Sequence, residues 1–158
     1  MRVLPQDPGP RLIVACDGAA RGNPGPAGIG VVLSAPDGRV LDRIARGIGV
    51  ATNNVAEYTA CIEGLRRAAE LGAREVVVRS DSHLLVEQLS GRYRVRNARL
   101  RELHREALAL AGRFERVRYE HVPRELNREA DRLANRGVDA MLRGLSPGTG
   151  SAPGPPRA

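Results

Sequence analysis

Four carboxylates stand at the ends of apolar segments of this chain: Asp17 after Leu-Ile-Val-Ala-Cys, Glu57 after Thr-Asn-Asn-Val-Ala, Asp81 after Val-Val-Val-Arg-Ser, and Asp131 within Asn-Arg-Glu-Ala-Asp-Arg-Leu-Ala-Asn. Acids that converge away from bulk water need a counter-charge. Divalent cations, which take oxygen ligands, supply it most simply. The chemistry implied is metal-assisted hydrolysis, in which two cations about 3.5–4 Å apart activate a water and stabilise the leaving oxygen. No covalent nucleophile is required. The three histidines show no HExxH or zinc spacing, the Gly-rich stretch at 22–30 lacks both phosphate-loop signatures, and a serine nucleophile elbow is missing.

Each acid also has a plainer reading. Asp17 precedes Gly18 and suits a turn, yet it shares a strand face with Ile13 and Ala15. Glu57, three positions after Asn54, fits a variant capping box, yet it lines up with Cys61 and Leu65 on the edge of an apolar stripe. Asp81, with Ser82, suits a cap for a helix starting near His83. Asp131 beside an apolar stripe reads as a solvated charge. Three of the four fall at the C-terminal ends of strands or the N-terminal ends of helices, where open α/β sheets place their sites. The joint pattern favours one site over four separate roles.

The elements that must position these acids follow from periodicity. Residues 11–16 read as a strand, 22–28 as a Gly/Pro turn, 29–33 as a second strand, and 40–48 as a third after the turn Pro36-Asp37-Gly38. These three form an antiparallel meander. Tyr58, Cys61, Ile62, Leu65, Ala68 and Ala69 set a helix over 54–71, stopped by Gly72. Residues 75–79 are a β-branched run suited to a strand buried on both faces. Helices over 83–89, 100–111 and 126–142 and a strand over 117–122 complete the chain, with Leu126, Ala130, Leu133, Ala134, Val138 and Met141 in one helical register. The order β-β-β-α-β-α-α-β-α predicts an α/β fold, a mixed five-stranded sheet flanked by helices.

At 158 residues the chain fits one domain. Residues 11–142 are expected to fold, with 1–10 as an N-terminal tail and 143–158, rich in Pro, Gly, Ser and Ala, as a tail or linker. The net charge of +7 and pI of about 10.8 attract polyanions such as nucleic acid. Every basic residue is Arg and none is Lys. GC-rich codon usage accounts for that choice, but the excess charge still calls for a partner. Cys16 and Cys61 stand at no metal-ligand spacing and are expected as buried, reduced thiols in a cytosolic protein. No stretch approaches the roughly 20 apolar residues of a membrane span, nor does the N-terminus carry the core of a signal peptide. A soluble, cytoplasmic chain is expected.

In order and spacing, Cys-Asp17-Gly-Ala-Ala-Arg-Gly-Asn23-Pro-Gly-Pro-Ala-Gly, Thr52-Asn53-Asn54-Val-Ala-Glu57-Tyr, Ser-Asp81-Ser and Asn127-Arg-Glu-Ala-Asp131-Arg-Leu-Ala-Asn resemble the four catalytic blocks of type 1 ribonuclease H. The resemblance spans residues 11–142. It implies the ribonuclease H-like fold and cleavage of the RNA strand of RNA/DNA hybrids to 3′-hydroxyl and 5′-phosphate ends. Magnesium would be the cofactor, with manganese able to replace it, in a monomer needing no small-molecule cofactor. By the same resemblance Asp17, Glu57, Asp81 and Asp131 are metal ligands, Asp17 bridging both ions. Asn23, Asn53 and Asn54 would contact the hybrid's minor groove, whose 2′-hydroxyls suit amides as donor and acceptor. Thr52 and Asn97 would cradle a phosphate of the DNA strand.

Two departures stand out. Where many members carry a mobile loop with a histidine, the segment from His121 to Asn127 is short and has no histidine within it. His121 falls in the preceding strand as a packing or hydrogen-bonding residue, leaving Arg124 or Glu125 as candidate replacements. Where some members have an extra helix and basic handle, residues 90–101 are compact, with Arg92, Arg94, Arg96, Arg99 and Arg101 either solvated or weakly bound to backbone phosphates. Lower hybrid affinity follows. This form resembles bacterial and archaeal enzymes, some of them fused to a phosphatase-like domain. The alternatives are a nuclease of the same fold acting on double-stranded RNA and a non-catalytic hybrid binder, the latter disfavoured because acids facing phosphates weaken binding.

Overall fold

Alternating apolar residues build the first three segments into a meander of β1 (Arg11–Ala20), β2 (Gly25–Ser34) and β3 (Val40–Ala51). The computed structural model describes residues 10–144, so the expected tails lie outside the described residues apart from Pro10, Arg143 and Gly144. After the meander come α1 (Asn53–Glu70), β4 (Glu75–Ser80), α2 (His83–Leu89), α3 (Ala98–Ala111), β5 (Arg116–His121), a 3-10 turn (Arg124–Leu126) and α4 (Arg128–Leu142). The sheet order is β3-β2-β1-β4-β5. β1, β2 and β3 pair antiparallel, while β4 lies parallel to both β1 and β5. The parallel pairs need crossovers, which α1 and then α2 with α3 provide. This is the expected ribonuclease H-like architecture.

Strand lengths differ from the periodicity reading for a reason. The ladder between β1 and β2 runs on to Ala20 and Ala27, so the Gly/Pro stretch at 22–28 turns only in its first half. Gly25 and Gly28 offer no side-chain pattern, yet both pair with β3, across a register shift between Ala27 and Gly28.

One sheet face carries the main core. Leu12, Val14, Cys16, Ile29, Val31, Leu33, Val76 and Val78 pack there against Tyr58, Cys61, Ile62 and Leu65 of α1 and Leu100 and Leu103 of α3. Each fully buried aliphatic side chain contributes about 1.5–3 kcal/mol. The other face holds α4, whose Ala130, Leu133, Ala134 and Val138 are buried.

Leu126 does not join that stripe. It is 73% exposed, because it lies in the 3-10 turn and Asn127 (φ −126°, ψ 25°) breaks the phase before α4 begins. Asn127, 2% exposed, takes the inward place. The far end of the register holds, with Met141 packed on β3, its sulfur accepting from the Gly49 N–H at 3.2 Å.

Candidate active site

Two glycines bring the four acids together. Gly18 follows Asp17 on β1, and a Cβ there would lie 2.3 Å from the Ala56 carbonyl carbon. Only glycine lets β1 pass so close to α1. As a result the Gly18 N–H donates to Glu57 Oε1 at 3.2 Å. Gly30 is the ladder partner of Asp17, and a Cβ there would lie 2.0 Å from the Ala130 carbonyl oxygen. Its bareness seats the first turns of α4 on β2, which presents Asp131 to Asp17. Asp81 arrives from the end of β4, beside β1 in the parallel pair.

Carboxylate oxygens of Asp17, Glu57 and Asp81 lie within 4.8 Å of one another. Asp131 stands near enough to this trio to help raise the pKa of Asp17, while remaining exposed at the rim. Among the described residues, none of the four forms an ion pair. Most other acids do, as with Glu129 to Arg43, Asp42 to Arg67 and Glu120 to Arg79.

The electrostatic consequence is large. Burial, then the charges of Asp81 and Asp131, pushes Asp17 up to about 8. Burial and the neighbouring charges of Asp17 and Asp81 push Glu57 to about 9. Asp81 is raised by burial, against an opposing pull from Arg124. Acids packed this closely without a cation partner are an unsatisfied charge cluster.

Asn127 is the site residue that sequence reasoning passed over. Its Nδ2 donates to the Cys16 carbonyl at 3.0 Å, and its amide lowers the pKa of Asp81, favouring the charged form. Its Oδ1 is buried with no partner. The available signal was its place four residues before Asp131, at a helix start, where an amide in an apolar surround needs partners. All-oxygen donors and an orphaned carbonyl oxygen beside them fit a hard divalent cation.

The plainer readings resolve as follows. Ser82, not Asp81, caps α2, accepting from the Leu85 N–H at 3.2 Å. Thr52, not Asn54, caps α1, accepting from Val55 N–H at 3.2 Å, so Glu57 is no capping-box residue and its carboxylate is free for the site. Asn97 caps α3, accepting from Leu100 N–H at 3.0 Å. Asn23 Oδ1 accepts from Asn53 N–H at 3.0 Å and Asn53 Oδ1 from Ala20 N–H at 3.1 Å. The two amides thereby lock the β1–β2 turn to α1, and their NH₂ groups have no partner among the described residues. Asn54 is exposed on the first turn of α1.

His121 ends β5 with its ring edge-on to His83, centroids 5.4 Å apart, the packing role expected of it. His83 is likewise edge-on to Tyr93 at 5.7 Å. Arg124 and Glu125 lie in the 3-10 turn and line an open depression of about 590 Å³ with Arg128, Asp131, Arg132 and Asn135. In the 90–101 segment, Arg92 grips Glu87 with bonds of 2.6 and 2.9 Å. Arg99 meets Glu102 at 3.2 Å, and Arg101 donates to the Arg96 carbonyl at 2.7 Å. Much of that basic segment is spent on its own structure.

A profile of proteins described as reverse transcriptase-like matches residues 15–137. Bifunctional protein Rv2228c of Mycobacterium tuberculosis is 51% identical over 131 residues, covering 82% of this chain but only 36% of its own length. This chain thus spans about a third of that relative. Ribonuclease HI of Halobacterium salinarum is 42% identical over 137 residues, covering 87% of this chain and 69% of the relative. The solved N-terminal RNase H domain of Rv2228c superposes with a TM-score of 0.80 at 50% identity, over 82% of this chain and 99% of that one. The structure of LC11-RNase H1 in complex with RNA/DNA hybrid gives 0.80 at 40% identity, over 83% and 99%. A mixed sheet of this order, with acids converging from β1, α1, the end of β4 and α4, defines the ribonuclease H-like class. Within it, the chain belongs to the type 1 ribonuclease H family.

Proposed function

We propose that the chain hydrolyses the RNA strand of RNA/DNA hybrids at a centre of two divalent cations, magnesium foremost with manganese able to replace it, leaving 3′-hydroxyl and 5′-phosphate ends. The observation that carries this reading is the trio Asp17, Glu57 and Asp81 within 4.8 Å, with Asp131 alongside and, among the described residues, no cationic side chain paired to any of them. Asp17, between the other acids, would bridge both ions. Bound cations would supply an activated water and charge stabilisation on the leaving oxygen.

The chain's own residues do the rest. Gly18 N–H orients the Glu57 carboxylate. Asn127 ties the start of α4 to the end of β1 and favours the charged form of Asp81. Arg124 lies close enough to Asp81 to lower its pKa and is a candidate for the role of the absent loop histidine. The NH₂ groups of Asn23 and Asn53, unpartnered among the described residues, with Asn54 beside them, suit the 2′-hydroxyl-lined minor groove. Thr52 and Asn97 cap two helix starts, where backbone N–H groups and the helix dipole favour a phosphate. They are the expected seat of the DNA strand. The hybrid bound to LC11-RNase H1 supports the choice of substrate. The reading takes the chain as a monomer without a small-molecule cofactor. Buried free thiols at Cys16 and Cys61 support a reducing, cytoplasmic setting, and no helix among the described residues is long and apolar enough to cross a membrane.

The test is cleavage of an end-labelled hybrid in magnesium, with and without chelator, beside duplex RNA and duplex DNA. Asp17→Asn is expected to keep the fold and abolish cleavage. Undiminished cleavage by that variant would sink the assignment, and equal cleavage of duplex RNA would widen the substrate class.

A further inference from the structure

Among the described residues, about half of the arginines already have partners. Arg43 pairs with Glu129, Arg66 with Glu63 and Glu106, Arg67 with Asp42 and Glu70, Arg74 with Glu115, and Arg79 with Glu120. Arg92, Arg99 and Arg101 are held within their own segment. Three guanidinium groups depart from this pattern together. Arg124, Arg128 and Arg132 recur every four residues, are exposed, and line one depression. Among the described residues none of them is paired with a carboxylate, although Glu125 lines the same depression.

Like charges four apart on a helix repel, so the free protein gains nothing from the row. The depression contains no apolar side chain, which disfavours a protein partner and suits a repeating anion. Within α4, Arg128 and Arg132 are four helical residues apart, an advance of about 6 Å and a step close to that between successive phosphates of a strand. Guanidinium forks match phosphate oxygens. Asp131 lies in the same depression, so the row runs beside the acid cluster, whereas Thr52 and Asn97 line no part of it.

We infer that Arg128 and Arg132, continuing from Arg124, form a phosphate track that holds the cleaved strand's backbone to one side of the cut. The inference rests on the hybrid-hydrolase reading above and assigns to α4 the backbone grip that the compact 90–101 segment has given up.

The experiment compares Arg128→Gln/Arg132→Gln with a control, Arg39→Gln/Arg113→Gln. The control removes the same charge from exposed arginines, unpaired among the described residues, at the far end of the sheet. On a long hybrid, the track variant is expected to raise KM about tenfold with a much smaller change in kcat. Its plot of log kcat/KM against log salt should be shallower by about two, one for each phosphate no longer neutralised. The control should match the unsubstituted chain. Methylphosphonates in the RNA strand on one side of the cut should weaken the unsubstituted chain by the same factor and add nothing in the track variant.

An unchanged KM, or a change equal to the control's, overturns the track. Coupling to methylphosphonates in the DNA strand overturns the strand assignment. Should the unsubstituted chain fail to cleave hybrid at all, the hydrolase reading falls. The track is then judged by anisotropy with a labelled hybrid, where equal affinity of variant and parent overturns it.

Discussion

Holding Asp17, Glu57 and Asp81 within 4.8 Å of one another costs the fold stability wherever all three are ionised. The folded pKa values of about 8 for Asp17 and about 9 for Glu57 stand above the unfolded values of 3.8 and 4.5. The native state therefore binds more protons than the unfolded chain between those limits, and stability must fall as pH rises through them. In chelator we expect the decline from pH 5 to pH 9 to be on the order of 1 kcal/mol per pH unit, read as a falling Tm. Asp42 and Glu87, held low by Arg67 and Arg92, act in the opposite sense only at more acid pH. Magnesium or manganese should raise Tm far more at pH 8.5 than at pH 5, and Asp17→Asn should raise it in chelator; a flat profile would count against the clustered acids. Asn127→Ala, which leaves the Cys16 carbonyl without its partner and removes the amide that favours ionised Asp81, should lower activity or metal affinity about 10–100-fold, measured by metal titration of cleavage. The acids and amides were legible in the sequence because charged and amide side chains at element ends carry their chemistry in their type. The role of Asn127 was not, because its meaning depends on a carbonyl at Cys16 far away in the chain.

At the scale of elements, the site exists because α4 sits directly on β2. Gly30→Ala would set a methyl group against the Ala130 carbonyl and lift the helix that carries Asp131. The expected cost is about 1–3 kcal/mol of stability. Displacing Asp131 by about 1 Å should reduce single-turnover cleavage by on the order of a hundredfold, and Tm alongside quenched-flow rates would separate the two effects. The order of elements was readable from periodicity because α1, α3 and the β-branched run at β4 have strong stripes. Two boundaries were not. The Gly/Pro stretch at 22–28 masks the start of β2, since glycine pairs in a ladder without any side-chain signature. Leu126 fits the helical register but precedes the phase break at Asn127, and apolar spacing alone cannot report such a break.

For the molecule as a whole, the net charge of +7 hides an uneven distribution. Ion pairs consume much of the basic surface, while Arg124, Arg128 and Arg132 stand unpaired among the described residues in one depression with Asp131. Binding of hybrid by the silent Asp17→Asn variant should weaken about 10- to 100-fold between 50 and 200 mM salt, the response of a protein making three or so phosphate contacts, as measured by anisotropy. Steeper loss would mean a wider footprint. The four acids come from β1, α1, the end of β4 and α4, segments spread across nearly all the described sequence. As synthesis runs from β1 toward α4, a growing chain holds Asp17, Glu57 and Asp81 long before it has Asp131. The scissors therefore stay open until α4 closes on β2, and the onset of cutting would itself be a clock for the last event in folding.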